Sequence, residues 1–453
     1  MNKEKINKLR KIIDDIDLSI LRLIIKRSLV VEKIGKIKNS NKDIIDKGRE
    51  SKVLNKLIKL HSGRFPKDSI IRIWREIFYA SAKVQLKTRK TFYPKRELNS
   101  IKLYKGGTSK ISGRKKIIKL SSNESPFGPS PKALKAYKAT TSQLSRYPEL
   151  TAESLQKKIA EKFNLNPDQI VCGTGSDEVL IFAALAFCSP GDEIIHAKHG
   201  FEMYPIITKY AGAESVLASE NNYKIDTNSI LKNLNESTKV IFIANPNNPT
   251  STYLNKSELK TFIKKIPKNI IVVIDTAYAE FADSKDYDKT FNLADKFDNV
   301  LITRTFSKAY SLAGLRLGWG YGSRSLIEVL RKMRPPFNIT PGAIAAGIAA
   351  LQDTAHLNKV VKHNSNVKSW FINEINNLDF KAYPTQSNFV FVIIPKKSGQ
   401  SASLVYDYLL SKGIAVRHLL SYGLSDAIRI TLGTKNELQN LLKNLKEFKK
   451  KNV

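Results

Sequence analysis

Cysteine is nearly absent from these 453 residues: Cys172 and Cys188 are the only two. A pair cannot build a disulfide framework or a structural zinc site, so both read as reduced packing residues and the cytoplasm as the natural compartment. No metal centre is expected. No run of about 18 apolar residues occurs, which argues against a membrane-spanning helix and a membrane partner. The stretch Met1 to Lys11 is charged and leads into no unbroken apolar segment, so no secretory signal is expected. Acidic residues are scarce as well, 41 against 76 lysines and arginines, for a formal charge of +35. Such an excess suits nucleic acid when it is clustered. Here the cations are spread along the chain, no nucleic-acid motif accompanies them, and no internal repeat is visible. The surplus therefore reads as solvated surface, with a basic cleft able to attract anionic small substrates.

Proline is missing from residues 4–38, and Gly35 is the lone glycine there. Ile6, Leu9, Ile13, Ile16, Ile20, Leu23, Arg27, Val30, Ile34 and Ile37 recur in steps of three and four, which predicts one long amphipathic helix. At about 1.5 Å per residue it spans roughly 50 Å, so its stripe needs partners over its whole length. The pattern breaks at residues 39–42. A second helix is expected from about Asp46, and a third from about Lys67, after Pro66, to Arg89. Around Thr91 to Lys116 periodicity dissolves into Pro94, Gly106, Gly107, Gly113 and polar residues, the mark of a seam. Beyond it, β-branched runs at Val240–Ile243, Ile270–Ile274 and Val300–Thr303 alternate with helical stretches, as in a mostly parallel sheet with crossover helices.

Arg27 is the one charged residue on the apolar stripe, and an unpaired buried guanidinium is costly, so it needs a partner or a ligand. Lys38, eleven residues on, projects from nearly the same face. Arg10, seventeen residues earlier, lies about 25 Å away and is rotated by about 100°, so it cannot easily serve the same pocket within one chain. Asp46, Arg49 and Glu50 share one turn, and Ser81 and Gln85 face the same way at i, i+4. A helical dimerisation module with solvated charges explains any one of these residues, but not Arg27 or the set together. Over residues 5–88 the stretches "LRKIIDDID", "GKIK", "IIDKGRE" and "SAKVQ" resemble the all-helical chorismate mutases. The resemblance implies Arg10, Arg27 and Arg49 on the two carboxylates of chorismate, and Lys38 and Gln85 on its ether oxygen. It implies Glu50 and Asp46 near the hydroxyl, and Ser81 at a further functional position. It also brings the first-helix arginine from the partner subunit, hence an intertwined dimer. The pericyclic rearrangement to prephenate needs no nucleophile, so a protein helps by holding the compact conformer and stabilising charge at the breaking bond.

In the second part, "GTGSDEVL" (Gly173 to Leu180) follows an apolar run and opens a helix whose N-terminus favours phosphate. "NPNNPT" follows the strand ending at Ala244, "VVIDTAY" puts Asp275 at a strand end, "TRTFSKAY" carries Lys308, and "LAGLRLGW" places Arg316 eight residues later. Each alone has an ordinary structural explanation; the ordered set does not. With "SSNESPFGPSP" and "IRITLGT" it resembles the fold-type-I aminotransferases, in the branch of histidinol-phosphate and aromatic aminotransferases, from about Ile101 to Lys449. The resemblance implies pyridoxal 5'-phosphate as cofactor, with Lys308 bonding it covalently and then moving a proton. Asp275 is implied at the pyridine nitrogen, Asn248 and Tyr278 at the ring oxygen, and Tyr204 stacked on the ring. The phosphate is implied against the amides of Ser176, Asp177 and Glu178, with hydroxyls from Thr305 and Ser307 and the Arg316 guanidinium, with Tyr147 reaching it from the neighbouring subunit and Arg429 gripping the substrate's carboxylate or phosphate. One departure from the family is Thr276, where glutamate is usual.

Together these readings divide the chain into an all-α three-helix mutase domain at 1–92, a linker or N-terminal arm at 93–116, and an aminotransferase domain at 117–453. The last is expected as a large domain on a mostly parallel sheet plus a small α+β domain. The fusion favours an aromatic keto acid (prephenate, phenylpyruvate or 4-hydroxyphenylpyruvate) as acceptor and glutamate as donor. A histidinol-phosphate aminotransferase fused to a mutase is the alternative, and a basic nucleic-acid-binding protein the remote one. A homodimer or dimer of dimers is expected.

Overall fold

The computed structural model describes residues 2–38, 46–85, 98, 100, 101, 103, 104, 106–114, 116–289, 291–397 and 399–452. They form two compact units, one of residues 1–100 with 190–192, the other of 101–189 with 193–453. Among them no helix is long and apolar enough to cross a membrane, and no three His, Cys, Asp or Glu side chains are grouped to hold a metal ion.

The first unit is helical. Helix α1 (Asn2–Ile37) is unbroken, with Glu4 in its first turn and Lys36 in its last, each matched to the helix dipole. Helix α2 (Lys47–Leu60) starts at Asp46, whose Oδ1 accepts the Arg49 amide at 2.9 Å. Helix α3 (Lys67–Gln85) follows Pro66; the last turn expected up to Arg89 lies outside the described residues. Among the described residues of this unit, Val31 and Phe78 are the buried hydrophobic side chains. The face that α1 turns to α3 differs from the expected stripe. Val31 and Gly35 are buried, whereas Val30, Ile34 and Ile37 are exposed, a rotation of about 100°. Two causes act together. A 3.5-residue repeat drifts by about 20° per heptad around a 3.6-residue helix. In addition, Gly35 admits α3 closely: a Cβ there would meet Gln85 Cγ at 3.0 Å and its Cα at 3.1 Å.

The second unit is built on a seven-stranded sheet. Its strands are β1 (Ile170–Gly173), β2 (Glu193–Ala197), β3 (Glu214–Ala218), β4 (Thr238–Ala244), β5 (Ile271–Asp275), β6 (Val300–Thr305) and β7 (Gly318–Tyr321). They lie in the order β1-β7-β6-β5-β4-β2-β3, all parallel except β7. Side chains alternate between two cores, Ile241, Val272, Ile274 and Ile302 on one face and Val240, Phe242, Val273 and Leu301 on the other. Both faces are covered, as a parallel sheet requires. Helices α4 (Ser176–Phe187) and α5 (Met203–Tyr210) pack on the second face. A smaller antiparallel sheet, in the order β8-β9-β11-β10, holds β8 (Lys381–Ala382), β9 (Phe389–Ile393), β10 (Arg417–His418) and β11 (Ala427–Thr431) around its own core.

Candidate functional site

A cavity of about 300 Å³ opens beyond the carboxyl ends of β4, β5 and β6, where parallel-sheet proteins place their ligands because loops diverge there. Lys308 reaches it three residues past β6, its Nζ donating to the Ser122 carbonyl oxygen at 3.2 Å. Burial, and next the nearby Arg429, bring its amine down from 10.5 to about 8. Asp275 ends β5. Its carboxyl is pushed up to about 6, by burial first and then by Asp177. The Tyr204 hydroxyl donates to it at 3.1 Å and the Thr303 hydroxyl at 3.2 Å. Tyr278 accepts from Asn123 Nδ2 at 2.8 Å, and burial lifts its phenol to about 12.

On another wall, α4 begins with no side chain capping it, so first-turn amides face the cavity region without intrahelical partners. Gly318 makes this cradle possible: a Cβ on it would lie 2.2 Å from the Ser176 amide nitrogen. Arg316 points Nη1 at the Ser307 hydroxyl (3.5 Å) and Nη2 at Asp177 Oδ2 (3.3 Å), and Thr305 stands beside them. Such a helix start with a guanidinium and hydroxyls suits a phosphate. Arg429, on β11, donates to Asn248 Oδ1 at 2.5 Å and to the Ser121 carbonyl oxygen at 2.9 Å, while its Nε is buried without a partner.

Ser176, Asp177, Asn248, Asp275, Tyr278, Thr305, Ser307, Lys308, Arg316 and Arg429 thus line one cavity. Three expected residues do not. The Glu178 carboxylate turns back to accept the Thr174 amide at 2.6 Å and Asn338 Nδ2 at 2.7 Å. Tyr204, expected on the cofactor ring, sits behind the wall, stacked on Phe242 with centroids 4.9 Å apart. Its buried hydroxyl must find an acceptor, and Asp275 supplies one. Phe201, three residues earlier, takes the wall position. Tyr147 is 83% exposed and stacks on Phe337 at 4.7 Å. The sequence reading also missed Tyr104, Ser122, Asn123, Arg417 and Tyr422 on the wall. Ser122 and Asn123 stand in "SSNESPFGPSP", so that motif carried the signal; Tyr104, Arg417 and Tyr422 stood in no pattern.

In the helical unit, Arg27 Nη1 donates to the Ser81 hydroxyl, and the guanidinium lies 5.7 Å from the Phe78 ring centre. Burial, and then Arg49, lower its pKa. Gln85 Nε2 donates to the Ser81 carbonyl oxygen at 3.3 Å, leaving Oε1 buried without a partner. Lys38 follows α1, its amide bonded to the Ile34 carbonyl oxygen at 3.1 Å. Asp46 is engaged as the cap of α2, and the Glu50 amide donates to its carbonyl oxygen at 3.0 Å. Arg27, Ser81 and Gln85 therefore meet, with Arg49 within electrostatic reach. Arg10 is exposed and about 25 Å away along α1.

The family model for aminotransferases of class I and II matches residues 115–445. The chain belongs to this family. A second model, chorismate mutase type II, matches residues 9–86, so this aminotransferase carries a mutase domain ahead of it and is both an isomerase and a transferase. Curated relatives of the aminotransferase include the histidinol-phosphate aminotransferases of Paramagnetospirillum magneticum, 42% identical over 78% of this chain and 98% of that one, and of Maricaulis maris, 40% identical over 79% and 99%. A solved histidinol-phosphate aminotransferase from Sinorhizobium meliloti, in complex with pyridoxal-5'-phosphate, superposes with a TM-score of 0.73 at 25% identity, covering 81% of this chain and all of that one. The cofactor is pyridoxal 5'-phosphate. The cavity's chemistry fits it: a buried amine of lowered pKa, a buried carboxylate whose donors include two hydroxyls, and an uncapped helix start beside a guanidinium converge on one space.

Proposed function

We propose that the aminotransferase domain moves an amino group from glutamate to an aromatic keto acid derived from the mutase product: prephenate, phenylpyruvate or 4-hydroxyphenylpyruvate. The observation that carries this reading is the mutase domain on the same chain, since tying the two catalysts together is useful when the second consumes what the first makes. A wall that includes Phe201, Tyr278 and Tyr422 beside Arg429 suits a ring with a carboxylate.

In this reading Lys308 Nζ bonds the cofactor and, once released, takes the proton from the substrate Cα; an amine near pKa 8 suits both duties at neutral pH. Bound there, pyridoxal phosphate supplies an electron sink for the bond broken at that carbon. Asp275 keeps a proton on the ring nitrogen, and Tyr204 and Thr303 orient its carboxylate. Asn248 and Tyr278 address the ring oxygen, and Phe201 takes the ring face that Tyr204 does not reach. The amides of Ser176, Asp177 and Glu178, with Thr305, Ser307 and Arg316, hold the phosphate, and Tyr147 joins them from a second copy. Arg429 takes the substrate carboxylate through the edge that its Nε presents.

For the mutase, Arg27 and Arg49 hold carboxylates, Lys38 and Gln85 meet the ether oxygen, Asp46 and Glu50 lie by the hydroxyl, and Ser81 orients Arg27. Arg10 enters from a second copy, whose helices cover the exposed stripe of α1. The names of the relatives favour a second reading, histidinol phosphate as substrate. Assaying the purified protein with glutamate against prephenate, phenylpyruvate and imidazole acetol phosphate separates the two. Turnover of imidazole acetol phosphate alone would discard the aromatic reading.

A further inference from the structure

Arg417, on β10, lines the cavity. Its Nη2 lies 2.7 Å from Glu202 Oε2, and its Nη1 donates to the Gly106 carbonyl oxygen at 2.8 Å. The two charged side chains are only 11% and 14% exposed. Glu202 immediately precedes α5, next to Phe201 on the wall. Arg429, the other arginine at this end, has neutral partners, Asn248 and the Ser121 carbonyl. Arg429, Glu202 and Arg417 all lie within electrostatic reach of the Tyr422 phenol, so they share one end of the cavity. Among the described residues, the charged groups acting on that phenol are two guanidiniums and one carboxylate.

We infer that Glu202 is a positioning residue that sets the charge of the accepted substrate. By holding Arg417 it leaves Arg429 as the available guanidinium, and the site takes a monocarboxylate with a neutral ring in preference to one bearing a second anionic group. This inference deepens the aromatic reading above and rests on it for Arg429 as the carboxylate's partner. A second anion must either draw Arg417 away, leaving a nearly buried carboxylate without its cation, or lie against Glu202 itself. Both penalties grow with the anion's charge, so the ordering runs from a neutral ring, through a ring carboxylate, to a phosphate dianion. Among aromatic keto acids, phenylpyruvate and 4-hydroxyphenylpyruvate are then favoured over prephenate, whose ring carries a carboxylate. Glutamate, with its second carboxylate, meets the same resistance and is held more weakly than its charge alone suggests.

The test is calorimetric, on the full-length, cofactor-loaded protein, with three unreactive probes. They are 3-phenylpropionate, 3-(4-carboxyphenyl)propionate and 3-(4-phosphonophenyl)propionate, which differ in the charge on the ring. In the parent protein the ring carboxylate adds no affinity. In Glu202→Gln, which keeps the shape and removes the charge, the affinity ratio of the carboxyphenyl to the phenyl probe rises about tenfold, and that of the phosphono probe rises more. Glu202→Asp restores the parent ordering. A ratio that does not move in Glu202→Gln overturns the inference, as does an equal change for all three probes, which a merely structural role would produce. Should the glutamine variant fail to fold, the parent still decides: a ring carboxylate that tightens its binding tenfold sinks the idea. Preference for imidazole acetol phosphate, a phosphate dianion, overturns both readings; a shifted ratio with turnover of none of the aromatic keto acids overturns only the aromatic reading, and an aromatic preference with an unmoved ratio overturns only this one.

Discussion

Strand β5 and helix α1 are both rich in isoleucine and valine, yet every residue of β5 is buried within one copy of the chain, while Ile6, Leu9, Ile13, Ile16, Ile20 and Leu23 along α1 are exposed. The sheet finds its cover locally, because crossover helices return the chain over both faces. A helix of 36 residues cannot be covered end to end by partners of 14 and 19. An apolar period states that a face needs covering, and chain length decides whether the same copy can do it. The two catalytic regions differ in the same way. The cavity gathers most of its expected residues from one chain, whereas of the mutase residues Arg27, Ser81 and Gln85 meet, with Arg49 within reach, and Arg10 lies far along α1.

Three experiments break or sharpen this contrast. The largest effect is expected from Lys308→Ala, which removes the buried amine of the cavity. Transamination should fall by roughly 10⁴-fold and the visible absorbance of the bound cofactor should vanish, while chorismate consumption continues. Loss of both activities in folded protein would mean that the two regions are not separable. Next comes the helical region. Ile16→Asp places a charge in the middle of the α1 stripe, and chorismate turnover should drop on the order of 100-fold as light scattering reports a smaller species. If the stripe is free surface, neither quantity moves. The smallest effect concerns pH. Lys308 titrates near 8 in the folded protein, and only its neutral form attacks an aldehyde, so the neutral fraction shrinks as pH falls below that value. Capture of pyridoxal phosphate by cofactor-free protein, followed by absorbance, should accelerate about tenfold from pH 6.5 to 7.5 and level off above 8. A rate that goes on rising about tenfold per pH unit beyond pH 9 would show that burial does not govern the amine.

Much of the aminotransferase region was legible because its chemistry sits in short motifs: Asp275 at a strand end, Lys308 and Arg316 in one loop, Ser176 and Asp177 at a helix start. The three strands with stated bounds, at Val240, Ile270 and Val300, were located to within a residue or two, since β-branched runs are local signals. Tyr204 and Phe201 show the limit. Both are aromatic and lie in one short segment, and nothing in sequence says which ring faces the cavity; the proximity of Asp275 and Phe242 settles it for Tyr204. In α1 the periodicity established a helix but pointed to Val30 and Ile34, whereas contact with α3 goes through Val31 and Gly35.

Sequence alone determined that this chain joins a helical mutase block to an α/β aminotransferase block, because ordered motifs and changes of hydrophobic period survive without coordinates. Only the tertiary structure decided that Glu202 neutralises Arg417 from a position 215 residues away, that Phe201 rather than Tyr204 meets the cavity, and that α1 offers Gly35 to α3. Those outcomes depend on distances between side chains remote in sequence, and a pairing between two such charges leaves no trace in the local spacing of either.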